Sequence, residues 1–176
     1  MYSKLKVLLL VNEFRTWHIA RHLSYSAQLG IEDGLRASGA QCLTVTSQWL
    51  PGILDAFKGR RFDQVWVAGR LDVFDEASLD RLASLSPVRL GMLSESAEYT
   101  AEECRISPGL KYRKEIIDRR LPYLTHALAC DEKDAADMNT RNVLPSIWWP
   151  QAVPERFITD KPAPPSEERR KLPPGM

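Results

Sequence analysis

The chain has 176 residues, with 24 Lys and Arg against 23 Asp and Glu and a net charge of +1, which suits one domain with a tail. The balanced charge gives no electrostatic reason to expect a nucleic-acid partner, so none is predicted. Cys42, Cys104 and Cys130 are isolated and odd in number, which argues against a disulfide framework or a zinc site and favours the reducing cytoplasm.

Short apolar runs alternate with helical patterns along the chain. In chain order the prediction is strand 7–11, helix 23–38, strand 41–47, helix 49–57, strand 64–68, helix 78–84, strand 88–93, helix 110–124, strand 126–130, helix 132–138 and a last strand or extended segment 143–147. Gly39 should cap the first helix and Pro51 should open the second, whereas Pro122 should kink or end the fourth. In that fourth helix, Tyr112, Ile116 or Ile117, and Leu121 are expected to face the core.

Strands separated by helices predict parallel pairing through right-handed crossovers. The fold class is therefore α/β, a three-layer Rossmann-like open parallel sheet. The longest apolar run, residues 7–11, is far shorter than the roughly 20 residues that a membrane span needs, so no transmembrane segment is predicted. Asn12 and Glu13 interrupt this apolar run, which also argues against a signal peptide.

The loop after the first strand is long, polar and aromatic. A structural turn needs only about two to six residues, so a substrate-binding role is predicted for this loop. The candidate residues are Asn12, Glu13, Arg15, Trp17 and His18. In the alternative, Phe14 and Trp17 only cover the sheet while Arg15 and His18 face water. No G-x-G-x-x-G or G-x-x-x-x-G-K-[ST] pattern is present, which argues against a dinucleotide-dependent dehydrogenase and a P-loop enzyme.

Polar residues also follow the third and fourth strands. Arg70 could bind an anion, and Glu95 with Ser96 would lie where the fourth strand ends. At a partly desolvated position, Glu95 could hold a sugar hydroxyl or act as a general base, and His18 is the second catalytic candidate. The alternatives are a turn that opens an acidic helix for Glu95 and a solvated or capping role for His18.

Two segments near the end carry a family resemblance. Residues 129–135 read A-C-D-E-K-D-A, and residues 149–157 read W-P-Q-A-V-P-E-R-F. The acidic residues of the first segment suit the start of a helix and need no metal ion. Together with the order of elements, the two segments resemble the N-terminal half of GT-B glycosyltransferases, and among these the bacterial family that includes spore-maturation CgeB-like proteins.

The resemblance implies a transferase whose first domain binds a sugar or glycoconjugate acceptor. It implies that the nucleotide-sugar, the co-substrate, is bound mainly by a C-terminal domain that these residues do not contain, and that no other cofactor and no metal is needed. An inverting enzyme of this class would need a base from the first domain, which Glu95 or His18 would supply. A retaining enzyme would need none.

The tail is Pro-rich and charged, so residues 1–158 are predicted to form the domain and residues 159–176 a linker or disordered tail. Trp148 and Trp149 would either fill the core of the last strand or line an interdomain cleft and stack on a sugar. The alternative to the transferase is a standalone, non-catalytic Rossmann-like module that binds a small ligand or a partner. An open reading frame that continues for another domain past Met176 would favour the transferase.

Overall fold

The computed structural model of the protein describes residues 4–11, 27–68, 71–93, 96 and 99–150, apart from the side chains of residues 27–29 and 72. In these residues six strands form one parallel sheet. They are β1 (Lys6–Val11), β2 (Gln41–Thr46), β3 (Gln64–Ala68), β4 (Arg89–Leu93), β5 (His126–Ala129) and β6 (Ser146–Trp148). The sheet order is β2-β1-β3-β4-β5-β6, and every pair is parallel.

Helices connect the strands. They are α1 (Ala27–Ala37), α2 (Leu50–Ala56), α3 (Glu76–Arg81), α4 (Ala101–Ile106), α5 (Pro108–Arg120) and α6 (Glu132–Thr140), with short 3-10 turns at Ser47–Trp49, Leu71–Val73, Leu82–Ser84 and Leu121–Tyr123. The molecule is therefore an open α/β sheet flanked by helices, which confirms the predicted three-layer Rossmann-like class. The order 2-1-3-4-5 within it is that of flavodoxin-like doubly wound sheets.

The larger core lies on one face of the sheet. Alternate residues of the central strands, such as Leu8, Leu10, Val65 and Val67, are fully buried there against the helices after β2, β3 and β4. Leu79, Ile117 and Met138 are among the helical residues of this core. Successive side chains of a strand point to opposite faces of the sheet. Those of β1 contribute to both cores, so its sequence is an unbroken apolar run.

The smaller core lies on the opposite face, under α1. Leu9, Val11 and Ala68 are buried there, with Ile31 of α1 and the strand residues Trp66 and Met92 packed against them. Leu35 of α1 is buried as well. Gly39 ends the helix turn with φ 88°, a conformation that favours glycine, which confirms its predicted capping role.

Three predictions about the elements were wrong. Tyr112 is 64% exposed, because only the second half of α5, with Ile116 and Ile117, reaches the core. Helix α4 was not predicted at all. The last strand begins at Ser146 rather than Val143, since Val143 donates its N–H to the Met138 carbonyl at the end of α6. Hydrogen bonding to β5 starts only at the Pro145 carbonyl, which accepts from the Ala127 N–H.

Candidate functional site

The carboxyl ends of all six strands meet at one end of the sheet, which we call the carboxyl end. Parallel open sheets bind ligands at this end, at the point where the strand order reverses. In this chain the reversal lies between β1 and β3. The crevice is therefore expected beside Val11 and Ala68, where residues 12–26 and 69–70 leave the sheet.

Most of the predicted site residues lie outside the described residues. These are Asn12, Glu13, Arg15, Trp17, His18, Arg70 and Glu95. Their proposed roles stay predictions. Ser96 is described, and it lies half-buried beyond the end of β4. Its binding role stays a prediction.

Thr46, the last residue of β2, is a polar residue of this end that the sequence did not single out. It is only 6% exposed, and its hydroxyl oxygen has no hydrogen-bond partner. It precedes the turn Ser47–Trp49 but its side chain does not cap that turn. A buried hydroxyl without a partner costs roughly 1–3 kcal/mol. The buried hydroxyl of Thr46 therefore has no hydrogen-bond partner among the atoms of the protein.

Beyond β4 and β5 the carboxyl end carries a tyrosine and a thiol that stay neutral. Burial raises the pKa of Tyr99, and the nearby charge of Asp134 raises it further. Burial also raises the pKa of the Cys130 thiol, with Asp131 and Asp134 adding to the effect. At neutral pH the tyrosine is a hydroxyl that can donate and accept, and the cysteine is a thiol rather than a nucleophilic thiolate. This part of the site is suited to hydrogen bonding more than to covalent catalysis.

The acidic residues beside these groups hold helix ends. Asp131 caps α6 by accepting from the Lys133 N–H at 2.8 Å, as the sequence indicated. Thr100 and Glu103 form a capping box at the start of α4, where the Glu103 N–H donates to the Thr100 hydroxyl at 3.2 Å and the Thr100 N–H donates to the Glu103 carboxylate at 2.7 Å. The backbone bond from Thr100 lowers the pKa of Glu103. Glu103 is thus engaged in the helix and is a poor candidate for a catalytic base.

An exposed aromatic group lies at the β6 side of the sheet. Ile147, Trp148 and Trp149 are 54%, 50% and 43% exposed, which rules out the alternative that the tryptophans fill the core. The Trp149 ring meets the Trp66 ring edge to face, with centroids 6.1 Å apart and planes at 85°. Its backbone N–H donates to the Ala129 carbonyl at 2.7 Å. Trp149 is therefore held in place while much of its surface stays accessible.

Within the described residues, no three His, Cys, Asp or Glu side chains come together as a metal site requires. None of the helices in the same part of the chain has the length and apolarity to cross a membrane.

Comparison of the chain with family models, with curated proteins and with solved structures finds no match.

Proposed function

We propose that this chain is the N-terminal, acceptor-binding half of a bacterial glycosyltransferase of the GT-B class. The enzyme would transfer a sugar from a nucleotide-sugar to an acceptor hydroxyl, with the nucleotide-sugar bound mainly by a C-terminal domain outside residues 1–176. The three cysteines are free thiols, which agrees with a cytoplasmic enzyme.

The observation that carries the proposal is the exposure of three large apolar side chains in succession. Ile147, Trp148 and Trp149 end the last strand and lead directly into the segment that resembles a GT-B linker. Exposed aromatic residues at such a position are expected if a second domain packs there and a sugar is bound between the two domains. A single exposed tryptophan would need no explanation, but three large apolar side chains exposed in succession, on both faces of the last strand, suit an edge of the sheet that another domain covers.

Tryptophan rings suit the proposed ligand. The apolar C–H face of a sugar packs on a flat ring, and a ring that is already fixed loses little conformational freedom on binding. Trp149 is fixed by Trp66 and by its backbone bond to Ala129. Trp148 pairs with Ala129 in the sheet, so its side chain projects from the opposite face to that of Trp149.

The catalytic part of the proposal rests on residues from the loops at the carboxyl end. Glu95 is proposed as the base that deprotonates the acceptor hydroxyl, with His18 as the second candidate. Binding of the acceptor is assigned to Asn12, Glu13, Arg15, Trp17, Arg70 and Ser96. Of these residues Ser96 is described, and it lies half-buried beyond β4.

The alternative function, a standalone binding module without catalysis, is favoured by one observation. Four ionisable groups described beyond β4 and β5 are unsuited to general base catalysis, because Tyr99 and Cys130 are neutral and Asp131 and Glu103 are engaged in capping. Incubation of the full-length gene product with radiolabelled nucleotide-sugars separates the two functions. Transfer to an acceptor supports the enzyme, and saturable binding of a ligand without turnover supports the module.

Trp148 gives a test on this chain alone. We expect saccharides to quench the tryptophan fluorescence of the wild type, and Trp148→Ala to weaken their binding about tenfold, which is about 1.4 kcal/mol and within the range of one aromatic contact. Trp49→Ala is the matched control, because Trp49 is also exposed, at 62%, but follows β2 at the opposite side of the sheet. Equal loss in both variants would contradict a saccharide surface at β6.

A further inference from the structure

The outer edge of β6 is already paired at Ser146, and the group that pairs with it is a side chain. The Asn139 carboxamide of α6 accepts a hydrogen bond from the Ser146 N–H at 2.9 Å and donates one from Nδ2 to the Ser146 carbonyl at 2.8 Å. Two residues that face each other in an antiparallel ladder exchange the same two hydrogen bonds. Asn139 therefore bonds to Ser146 as a residue of a neighbouring strand would.

The two backbone groups of Ser146 point away from the rest of the sheet. Ser146 is the register partner of Ala127 in β5, yet the Ala127 N–H donates to the Pro145 carbonyl, at 2.9 Å. In a parallel pair, a residue bonds to the residues on either side of its register partner. Because β6 is the last strand of the described sheet, the N–H and carbonyl of Ser146 are groups that a further strand would use.

The turn between α6 and β6 holds Asn139 opposite Ser146. Met138, the residue before Asn139, is fully buried in the larger core, and its carbonyl accepts from the Val143 N–H at 3.0 Å. On the strand, the Ser146 hydroxyl donates to the Leu144 carbonyl at 2.8 Å. Both ends of the contact are thus fixed by the chain around them, so the carboxamide loses little conformational freedom by bonding there.

β6 has the properties of a strand that attracts another strand. Ile147 and Trp148 are exposed on it, and residues 143–149 carry no charged side chain. An apolar, uncharged edge strand is a template for pairing with another chain. In this strand of three residues, Ser146 and Trp148 carry the backbone groups that point outward. With Ser146 bonded to Asn139, those of Trp148 remain, and one residue is too little for a ladder.

We propose that Asn139 closes the edge of β6 to strand addition, so that a second copy of this chain cannot extend the sheet by pairing its own β6 there. The contact is autoinhibitory, because its loss frees the backbone groups of Ser146 that an incoming strand needs. A partner at this edge meets the side chains of Ile147 and Trp148 instead. This role does not depend on sugar transfer, so its failure would leave the proposed function standing.

Asn139→Ala tests this role in the whole chain. Alanine is a good helix former, so α6 should persist while Ser146 loses the carboxamide. We expect the dissociation constant for self-association, measured by analytical ultracentrifugation, to fall about tenfold or more below that of the wild type, because two backbone hydrogen bonds become available to a second copy. Thr140→Ala, at the next and also exposed residue of α6, is the matched control and should associate as the wild type does.

Hydrogen exchange of the Ser146 amide shows whether the copies meet through their strands. In Asn139→Ala this amide should exchange rapidly in dilute solution and become protected between micromolar and millimolar protein. In the wild type its protection should not depend on concentration. Unchanged self-association of folded Asn139→Ala would overturn the proposal. So would association that leaves the Ser146 amide unprotected, since the copies would then meet through side chains alone.

The wild type provides a test that does not require the variant to fold. A scalar coupling across the hydrogen bond, from the Ser146 amide nitrogen to the carboxamide carbon of Asn139, should be present at every protein concentration. Loss of this coupling in concentrated samples, with the Ser146 amide still protected, would mean that an added strand displaces Asn139. That result would overturn the proposal, and a coupling that persists supports it.

Discussion

Gly91 occupies a place in β4 where a side chain does not fit. A Cβ atom at this position would lie 2.3 Å from Cδ1 of Leu124, which is itself buried in the larger core. The side chain of Leu124 packs closely over the strand at this point. Glycine at residue 91 thus sets how closely the turn before β5 approaches the sheet.

Gly91→Ala should lower the free energy of unfolding by about 1–3 kcal/mol, because the added methyl overpacks the core. Urea denaturation measures the change. Gly34→Ala is the control, since nothing lies within 4 Å of a Cβ at Gly34. In the interior of α1 it should instead stabilise by about 0.5–1 kcal/mol. The clash account fails if Gly91→Ala and Leu124→Ala are additive in the double variant, because truncation of Leu124 removes the atom that the methyl meets.

At the scale of single elements, several helices begin at a polar side chain that accepts a hydrogen bond from the first turn, and such capping residues can be recognised in the sequence. Asp75 accepts from the Ser78 N–H at 2.8 Å and so caps α3. Hydrogen bonding to Ser78 holds the pKa of Asp75 below its ordinary value of 3.8. The ionised carboxylate is the form that caps the helix, so this contribution to stability depends on pH.

Asp75→Ala should cost about 0.5–2 kcal/mol at neutral pH, as removal of an N-cap does. Since the pKa is lowered in the folded state, the contribution is complete above 3.8 and is lost as the pH falls through the lowered value. Urea unfolding at about pH 7 and at about pH 2.5 should therefore show a smaller difference between variant and wild type in acid. Asp80→Ala, an exposed residue of the same helix, should change little. A difference that is equal at both pH values would argue against capping by the carboxylate.

The sequence predicted the elements best where local chemistry decides. The apolar run of β1, Gly39 after α1 and Pro51 in α2 each acted as expected. Helix α4 has no apolar periodicity, since none of its residues is buried, and only its capping box of Thr100 and Glu103 could have indicated it. The S/T-x-x-E pattern of residues 100–103 is the local sequence signal for the start of this helix.

The site was less predictable than the fold. Thr46 looks like any other threonine at the end of a strand, because its burial and its missing partner arise only in the folded chain. The exposure of Trp148 likewise depends on β6 having one sheet neighbour among the described strands. Side chains whose role is set by tertiary neighbours carry no local signal. The loop residues from Asn12 to His18, with Arg70 and Glu95, remain sequence predictions.

At the scale of the whole molecule, catalysis needs a donor and an acceptor held together, so Glu95 must be tested in the full-length gene product. Glu95→Gln should reduce the turnover number for sugar transfer by about 10²-fold or more if the carboxylate is the base. Acceptor binding should change little, because glutamine keeps the shape of the side chain. Glu98→Gln, three residues later in the sequence, is the control. Unchanged turnover in folded Glu95→Gln would remove Glu95 as the base and leave His18, or a retaining mechanism, as the explanation to test.

The strand order also bears on how the sheet can assemble while the chain is being synthesised. β1 lies between β2 and β3, so a three-stranded unit is complete once Ala68 has been made. β4, β5 and β6 then join the same free side in the order in which the ribosome delivers them. Parallel pairing over long connections is slow, yet none of the six described strands must be inserted between two that are already paired. We expect each growing intermediate to expose one unfinished side only, which limits its chances of pairing with other nascent chains.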